Sequence, residues 1–212
     1  MNTHHRGCKK QLAHGRGPTS YKMHDSDLVF RILSLNEGST FLDLGCGPGD
    51  YSIHAAKLVG KHGQVYAVDQ SSRMVDEVDR QASEHRLGNL LTLPQDMTDP
   101  IPLPEESVDT CLLSTSLHCL DFRSQAPAVF RELHRILKRD GVLAVLECKK
   151  EEMDFGPPLH MRISAGEIAE LIDNNGYRQI SYADLGVNYM VRFRKAPLPG
   201  APNNPTPKEA NQ

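Results

Sequence analysis

Five side chains that can bind a cation or accept a proton lie in or directly after predicted strands: Asp43, Asp69, Asp96, His118 and Glu147. In open α/β sheets, ligands bind outside the carboxyl ends of the parallel strands. Carboxylates at such a place favour a ligand with hydroxyl groups or positive charge, and an imidazole titrates near neutral pH. The set therefore indicates a small-molecule site with polar contacts and one candidate base.

A glycine-rich turn follows the first predicted strand. It reads Asp-x-Gly-x-Gly-x-Gly from Asp43 to Gly49, and Asp50 then suits the N-cap of a helix that ends at Gly60. Glycines let the backbone approach a ligand, and the helix start presents unpaired N–H groups. The turn lacks the Gly-Lys-Ser/Thr ending of a phosphate loop, and its third glycine comes one residue earlier than in the dinucleotide fingerprint. The leading acid favours a cationic group over a pyrophosphate.

Strands and helices alternate along most of the chain. The predicted strands cover residues 41–44, 64–69, 90–93, 108–114, 142–147, 178–183 and 188–194, and the predicted helices cover residues 25–35, 51–59, 71–87, 124–139 and 164–175. The last two strands surround a turn at Asp184-Leu185-Gly186. This pattern predicts an α/β fold: a Rossmann-like, seven-stranded, mostly parallel sheet with helices on both faces and an antiparallel C-terminal hairpin strand.

Motifs after the glycine turn carry a family resemblance. Pro102-Leu103-Pro104-x-x-Ser107-Val108-Asp109 opens the fourth strand, and the pair Leu117-His118 follows it. Together with the glycine turn, this order resembles class I S-adenosylmethionine-dependent methyltransferases of the group that acts on ubiquinone and menaquinone precursors. The resemblance covers residues 25–195. It implies S-adenosylmethionine as cofactor, methyl transfer to a small-molecule acceptor by in-line displacement, and a last strand inserted between its two predecessors.

The resemblance also implies roles for individual residues. Asp43 would bond the methionine amino group directly or through water, and Asp96 with the Met97 N–H would meet the adenine. Asp69 has the position at which βαβ nucleoside-binding units bond the ribose hydroxyls. The predicted cofactor contacts are Asp43, Gly45, Cys46, Gly47, Gly49, Tyr51, Asp69, Gln70, Met74, Asp96, Met97 and Ser114.

Proton removal from the acceptor, where it is needed, is assigned to the substrate side of the site. His118 is the first candidate base and Glu147 the second; the alternative is a structural histidine that bonds a loop carbonyl. Residues 148–163 form a long irregular connection, which we expect to be part of a substrate lid. Within it, Lys149 and Lys150 either attract an anionic substrate or form a solvated charge run.

Composition limits the remaining possibilities. The 212 residues suit one domain at residues 25–195, between a basic flexible tail at 1–24 and a proline-rich flexible tail at 196–212. A net charge of −3 argues against general nucleic-acid binding, and no apolar run reaches the roughly 20 residues of a membrane span. The absence of a signal-peptide pattern favours a cytoplasmic protein. Five cysteines without a C-x-x-C spacing give no support for a metal site.

Two alternatives stay open from the sequence. A protein that binds S-adenosylmethionine but has lost catalysis, and serves as a partner or regulator, would keep the same cofactor residues. An NAD(P)-dependent oxidoreductase would share the sheet as far as Asp69. The early third glycine, Asp96-Met97 and the terminal hairpin argue against the oxidoreductase. The acceptor, the target atom and the choice between monomer and homodimer are not readable from the sequence.

Overall fold

A computed structural model describes residues 19–198. This part of the chain forms one sheet with helices on both of its faces. The strands are β1 (Thr40–Leu44), β2 (Gln64–Asp69), β3 (Leu90–Pro94), β4 (Val108–Ser114), β5 (Leu137–Cys148), β6 (Tyr177–Leu185) and β7 (Asn188–Lys195). The α-helices are α1 (Ser26–Leu33), α2 (Asp50–Val59), α3 (Ser72–Glu84), α4 (Phe122–Ile136) and α5 (Ala165–Asp173). Short 3₁₀ helices cover Ser20–Lys22, Leu117–Cys119 and Leu159–Met161.

The strand order is β3-β2-β1-β4-β5-β7-β6. Strands β1 to β5 are parallel, whereas β7 runs antiparallel to both of its neighbours, β5 and β6. The predicted fold, including the inserted last strand, is confirmed. The order reverses between β1 and β4, so the loops after these two strands diverge and leave a crevice at their carboxyl ends.

Each central strand is buried on both faces. In β1, Leu42 and Leu44 point into the cluster that α4 and α5 cover, while Phe41 points into the cluster that α1, α2 and α3 cover. Successive strand side chains face opposite sides, and both sides here are apolar. This explains why the strand is a nearly continuous apolar run instead of an alternating one.

Several helix ends differ from the predictions, and two of the differences have a clear structural reason. Gly49, not Asp50, is the N-cap of α2; its backbone is left-handed (φ +85°) and Asp50 is the first helical residue. Helix α4 ends at Ile136, three residues earlier than predicted, because Leu137 is already extended and pairs with Val108 of β4. Sheet pairing therefore overrides the helical pattern at this junction.

The predicted tails overlap the described residues only in part. Residues 1–18 and 199–212 lie outside them. Residues 19–24, which the sequence assigns to the tail, include a 3₁₀ turn at Ser20–Lys22 in which the Thr19 hydroxyl accepts a bond from the Tyr21 N–H. Within residues 19–198, no helix has the length and apolar character that a bilayer crossing requires.

Candidate active site

A cavity of about 800 Å³ opens at the carboxyl ends of β1 to β5. Its wall combines the glycine turn, the loops after the next four strands and the segment Thr19–Met23. Most of the predicted site residues line it: Gly45, Cys46, Gly47, Tyr51, Asp69, Gln70, Met74, Asp96, Met97, Ser114 and His118. Residues that are far apart in the sequence thus meet where the topology predicts a ligand.

Three predicted site residues lie outside the cavity wall: Asp43, Gly49 and Glu147. Gly49 has a packing role, since a Cβ there would lie 2.6 Å from Val78 Cγ2 on α3. Asp43 and Glu147 are each 1% exposed and lie directly behind the wall. Glu147 hydrogen-bonds His118, which lines the cavity, whereas Asp43 hydrogen-bonds Ser52.

Asp43 is a buried carboxylate with one open oxygen. Its Oδ2 accepts a bond from Ser52 Oγ at 2.5 Å, and its Oδ1 has no partner within residues 19–198. The pKa of Asp43 is raised to about 7. Burial is the main cause and the charge of Asp69 adds to it, while the hydrogen bond from Ser52 opposes the rise. A cation beside Oδ1 would favour the ionised form and supply the missing contact.

Backbone hydrogen bonds fix the glycine turn to the end of β2. The N–H groups of Gly45 and Cys46 both donate to the Val68 carbonyl, at 2.8 and 3.0 Å, and the Gly47 N–H donates to Asp69 Oδ2 at 3.0 Å. Gly45 has a left-handed backbone (φ +77°), and a Cβ there would lie 2.8 Å from Ser116 Cβ. Only glycine fits where the turn passes the loop after β4.

Asp69 and Asp96 each keep acceptor capacity toward the cavity. Asp69 Oδ1 accepts from the Ser71 N–H at 2.9 Å, which fixes the carboxylate at the end of β2. Asp96 Oδ1 accepts two bonds from Thr98, at 2.9 and 2.8 Å, while Oδ2 has no partner among the described residues. The Met97 N–H likewise donates to no group in the described chain. Asp96 Oδ2 and the Met97 N–H thus offer one acceptor and one donor side by side.

His118 and Glu147 form a hydrogen-bonded pair beside the cavity. His118 Nδ1 lies 3.0 Å from Glu147 Oε2, and Glu147 Oε1 accepts the Leu117 N–H at 2.9 Å. His118 lines the cavity, whereas Glu147 does not. With its Nδ1 proton held by the carboxylate, the neutral ring has Nε2 as its acceptor nitrogen. The partner of Nδ1 is thus a carboxylate, not the loop carbonyl of the structural alternative.

The sequence interpretation missed the polar residues of the N-terminal segment. Ser20 Oγ lies 2.8 Å from Ser114 Oγ and 3.1 Å from the Tyr51 hydroxyl, which lies 2.8 Å from His24 Nε2. Asn188 Nδ2 in turn lies 3.1 Å from His24 Nδ1. Burial lowers the pKa of His24 and raises that of Tyr51, so both are neutral near pH 7. The basic composition of residues 1–24 gave no signal for this docking.

The charged residues after β5 do not face the cavity as free cations. Lys149 Nζ pairs with Asp184 at 2.7 Å, and Lys150 Nζ pairs with Glu167 at 2.7 Å. Neither lysine lines the cavity. As for metals, residues 19–198 contain no cluster of three or more His, Cys, Asp or Glu side chains that could hold an ion.

With this geometry in place, comparison with known proteins assigns the family. An S-adenosylmethionine-dependent methyltransferase from Aquifex aeolicus superposes with a TM-score of 0.78 at 30% identity, over 85% of this chain and 95% of that one. The chain belongs to the S-adenosylmethionine-dependent methyltransferases. A methyltransferase-domain family model also matches residues 41–141. The resemblance drawn from the glycine turn and the fourth strand is confirmed, and it leaves the nicotinamide-dependent alternative without support.

Two relatives of this methyltransferase carry more specific names. The demethylmenaquinone methyltransferase of Lactobacillus johnsonii is 32% identical over 118 residues, which are 56% of this chain and 47% of that protein. The 2-phytyl-1,4-naphtoquinone methyltransferase of a Nostoc species is 31% identical over 122 residues, 57% of this chain and 52% of that protein. The chain therefore spans about half the length of these curated relatives.

The cavity fits S-adenosylmethionine, the cofactor of this methyltransferase family. Asp43 would hold the amino group, Asp69 the ribose hydroxyls, and Asp96 with Met97 the adenine. The open Oδ1 of buried Asp43 suits a positively charged amine, and the acceptor and donor at residues 96–97 match the two hydrogen-bonding groups on an adenine edge. The charges and hydrogen-bonding groups of these residues therefore fit the amino group, the ribose and the adenine of the cofactor.

Proposed function

We propose that this protein transfers a methyl group from S-adenosylmethionine to a small-molecule acceptor that must lose a proton. The observation that carries the proposal is the His118–Glu147 pair at the wall of the cofactor cavity. When bound, the cofactor supplies an electrophilic methyl group on a sulfonium. Because the donor is already activated, the protein mainly aligns the reactants and excludes water.

In this proposal His118 is the base. Its Nε2 accepts the acceptor's proton, and Glu147 stabilises the imidazolium through the bond to Nδ1. Glu147 also orients the ring, because its second oxygen holds the backbone at Leu117. The Asp43, Asp69 and Asp96 carboxylates bind and orient the cofactor and take no part in covalent chemistry.

The charges around the cavity support an uncharged acceptor. No Lys or Arg within residues 19–198 lines it, so an anionic acceptor would meet only carboxylates and neutral groups. Apolar side chains complete the wall: Met23, Leu120, Pro157, Pro158 and Met161. The relatives named for naphthoquinone and menaquinone methylation point the same way. We therefore propose a hydroquinone-type acceptor with an apolar body that loses one proton on methylation.

Two measurements test the function in sequence. Calorimetric titration with S-adenosylmethionine, S-adenosylhomocysteine and NADH should show micromolar binding of the first two only, and Asp69→Ala should lose it. Incubation with S-adenosylmethionine and 1,4-dihydroxynaphthalene should then yield a methylated product, whose mass exceeds that of the acceptor by one CH₂ because a methyl group replaces a hydrogen. Binding without transfer to any hydroquinone would instead support the catalytically silent alternative.

We further propose that the protein works in the cytoplasm as a monomer or homodimer. Analytical ultracentrifugation with and without S-adenosylhomocysteine tests the assembly. A sedimenting mass larger than that of two chains would contradict it.

A further inference from the structure

The segment between β5 and α5 supplies the cavity wall on the acceptor side. Gly156, Pro157, Pro158 and Met161 line the cavity, and they follow Glu147 in the chain. By strand order, the cofactor carboxylates come from the β1, β2 and β3 side of the sheet, whereas this segment leaves β5 on the far side of β4. It therefore borders the half of the cavity that contains His118.

This wall has little regular structure of its own. Between Cys148 and Ala165 the only regular element is the 3₁₀ turn Leu159–Met161. Apart from the Lys149 N–H, which donates to the Val187 carbonyl at 3.0 Å, residues 149–158 are not part of the sheet, and Phe155 within them is exposed. Something other than a backbone ladder must fix the position of these residues.

Arg162 is the side chain that holds the wall together. It is 4% exposed, and its guanidinium donates to four backbone carbonyls of the segment. Nε donates to Pro157 O at 2.7 Å, Nη2 to Phe155 O at 2.7 Å, and Nη1 to Lys149 O at 3.4 Å and to Glu151 O. One side chain thus hydrogen-bonds to carbonyls near both ends and in the middle of residues 149–158.

The absence of a counter-ion makes this arrangement unusual. A buried charge is costly unless it is paired, and the hydrogen bonds of the Arg162 guanidinium within residues 19–198 all go to backbone carbonyls and none to a carboxylate. Carbonyl dipoles take the place of the acid. The planar fork of an arginine, with five donors, can satisfy carbonyls in several directions at once, whereas a lysine is a compact point charge. The four carbonyls offset the cost of burying the guanidinium only while the segment keeps the conformation that brings them together.

We propose that Arg162 is a positioning residue that fixes segment 149–161 as the acceptor-side wall and thereby sets acceptor affinity. The inference rests on the proposed function, because it assigns the segment to the acceptor. Its effect should fall on the acceptor and leave the cofactor half alone, because the segment contributes none of the predicted cofactor residues.

The experiment compares Arg162→Met and Arg162→Lys with Arg135→Met. Arg135 is the matched control: it also donates to loop carbonyls, Leu103 O at 2.9 Å and Ile101 O at 3.0 Å, but the loop that it holds lies outside the cavity wall. Three readouts are taken on the full chain. They are KM and kcat for 1,4-dihydroxynaphthalene, the Kd of S-adenosylhomocysteine, and the rate of chymotrypsin cleavage after Phe155.

Both Arg162 variants should raise KM for the hydroquinone by about tenfold, with Kd for S-adenosylhomocysteine within about twofold, and should be cut after Phe155 about tenfold faster. The lysine variant should therefore restore neither the KM nor the resistance to cleavage. Arg135→Met should leave all three values near those of the native protein. Restoration by lysine would instead indicate that charge alone suffices and would overturn the inference.

The outcomes also separate the inference from the proposed function. If the native protein binds S-adenosylhomocysteine but methylates no hydroquinone, the proposed function fails, and the cleavage rate still decides whether Arg162 holds the segment. Unchanged cleavage in both variants would overturn the inference. So would faster cleavage with unchanged acceptor kinetics, because the segment would then not shape the acceptor site.

Discussion

Glu147 holds His118 from two directions: one carboxylate oxygen lies 3.0 Å from Nδ1 of the ring, and the other accepts the N–H of the preceding residue at 2.9 Å. The histidine comes from the 3₁₀ turn after β4 and the glutamate from the end of β5, so two parallel neighbouring strands build the pair. Because one carboxylate fixes both the ring and its backbone, the orientation of the ring depends on that single side chain.

Removal of the proposed base, His118, should lower turnover and leave cofactor binding intact. General acid–base groups contribute about 10²–10⁴-fold, so His118→Ala should reduce kcat by about that factor. Glu147→Gln keeps the size of the side chain but loses the charge, and we expect a smaller loss of about tenfold or more. Both variants should bind S-adenosylhomocysteine as the native protein does.

The exposed His85 supplies the control for this experiment, since it lies on the surface after α3 and outside the cavity wall. His85→Ala should keep full turnover. Unaltered kcat in His118→Ala with a confirmed acceptor would remove the histidine from the mechanism.

Cofactor binding should release a proton from Asp43. Its pKa of about 7 in the free protein means that the carboxyl is partly protonated near neutral pH. A cationic amine beside the open Oδ1 favours ionisation, so affinity for S-adenosylhomocysteine should fall as pH drops below about 7. Calorimetry in two buffers of different ionisation enthalpy measures the released proton. Asp43→Asn should show no such release.

The same carboxyl should affect the stability of the free protein with the opposite trend. A raised folded-state pKa gives stability that is present below the unfolded value of 3.8 and is lost as pH rises through about 7. The difference in melting temperature between the native protein and Asp43→Asn should therefore change across this window. A difference that stays constant from pH 4 to pH 8 would contradict the shift.

Substitution at Gly45 should abolish cofactor binding, beyond any general loss of stability. An added Cβ would lie 2.8 Å from Ser116 Cβ and 3.1 Å from Met97 Cε, so the turn and the adenine edge must separate. Gly38 is the matched control: its φ of +82° resembles the +77° of Gly45, but a Cβ there meets nothing within 4 Å. Gly38→Ala should cost about 1 kcal/mol by strain alone and keep the affinity.

Calorimetry on both alanine variants decides the point. Equal affinity losses would mean that backbone strain, and not the close approach, explains the glycine.

The docked N-terminal segment should contribute to cofactor affinity through Tyr51. Tyr51→Phe removes the hydroxyl that joins Ser20 and His24, and such a hydrogen bond contributes about 1 kcal/mol, or about fivefold in affinity for S-adenosylhomocysteine. Tyr21→Phe is the control, since it loses a bond of 2.7 Å to His54 outside the cavity wall.

The contribution of this segment should also depend on pH. Because burial lowers the pKa of His24, its stabilisation is present above the unfolded value of 6.5 and is lost as pH falls through the lowered pKa of the folded state. The effect of Tyr51→Phe on affinity should therefore shrink once the pH is low enough to protonate His24. An effect that stays equal down to the pH at which the protein unfolds would show that protonation of His24 does not control this chain of hydrogen bonds.

The sequence predicted the parts of the site that depend on local pattern. Strand ends locate Asp69 and His118 because every parallel strand delivers its carboxyl end to one edge of the sheet. Docking of Ser20 and the carbonyl cluster around Arg162 were not predictable, because both depend on tertiary contacts between segments without periodicity. Asp43 illustrates a middle case: its position was predicted, whereas its burial behind the wall follows from the packing of α2 over β1.

The position of β7 between β5 and β6 has a consequence for biosynthesis. Of the strands within residues 19–198, β7 at residues 188–195 leaves the ribosome last, yet it pairs with Glu147 and Cys148 through Tyr189 and Asn188. Until then β5 is an uncovered apolar edge, and His24 lacks its Asn188 contact. A nascent chain would therefore lack these contacts until residues 188–195 have been made, which makes the site sensitive to the loss of residues far from the glycine turn.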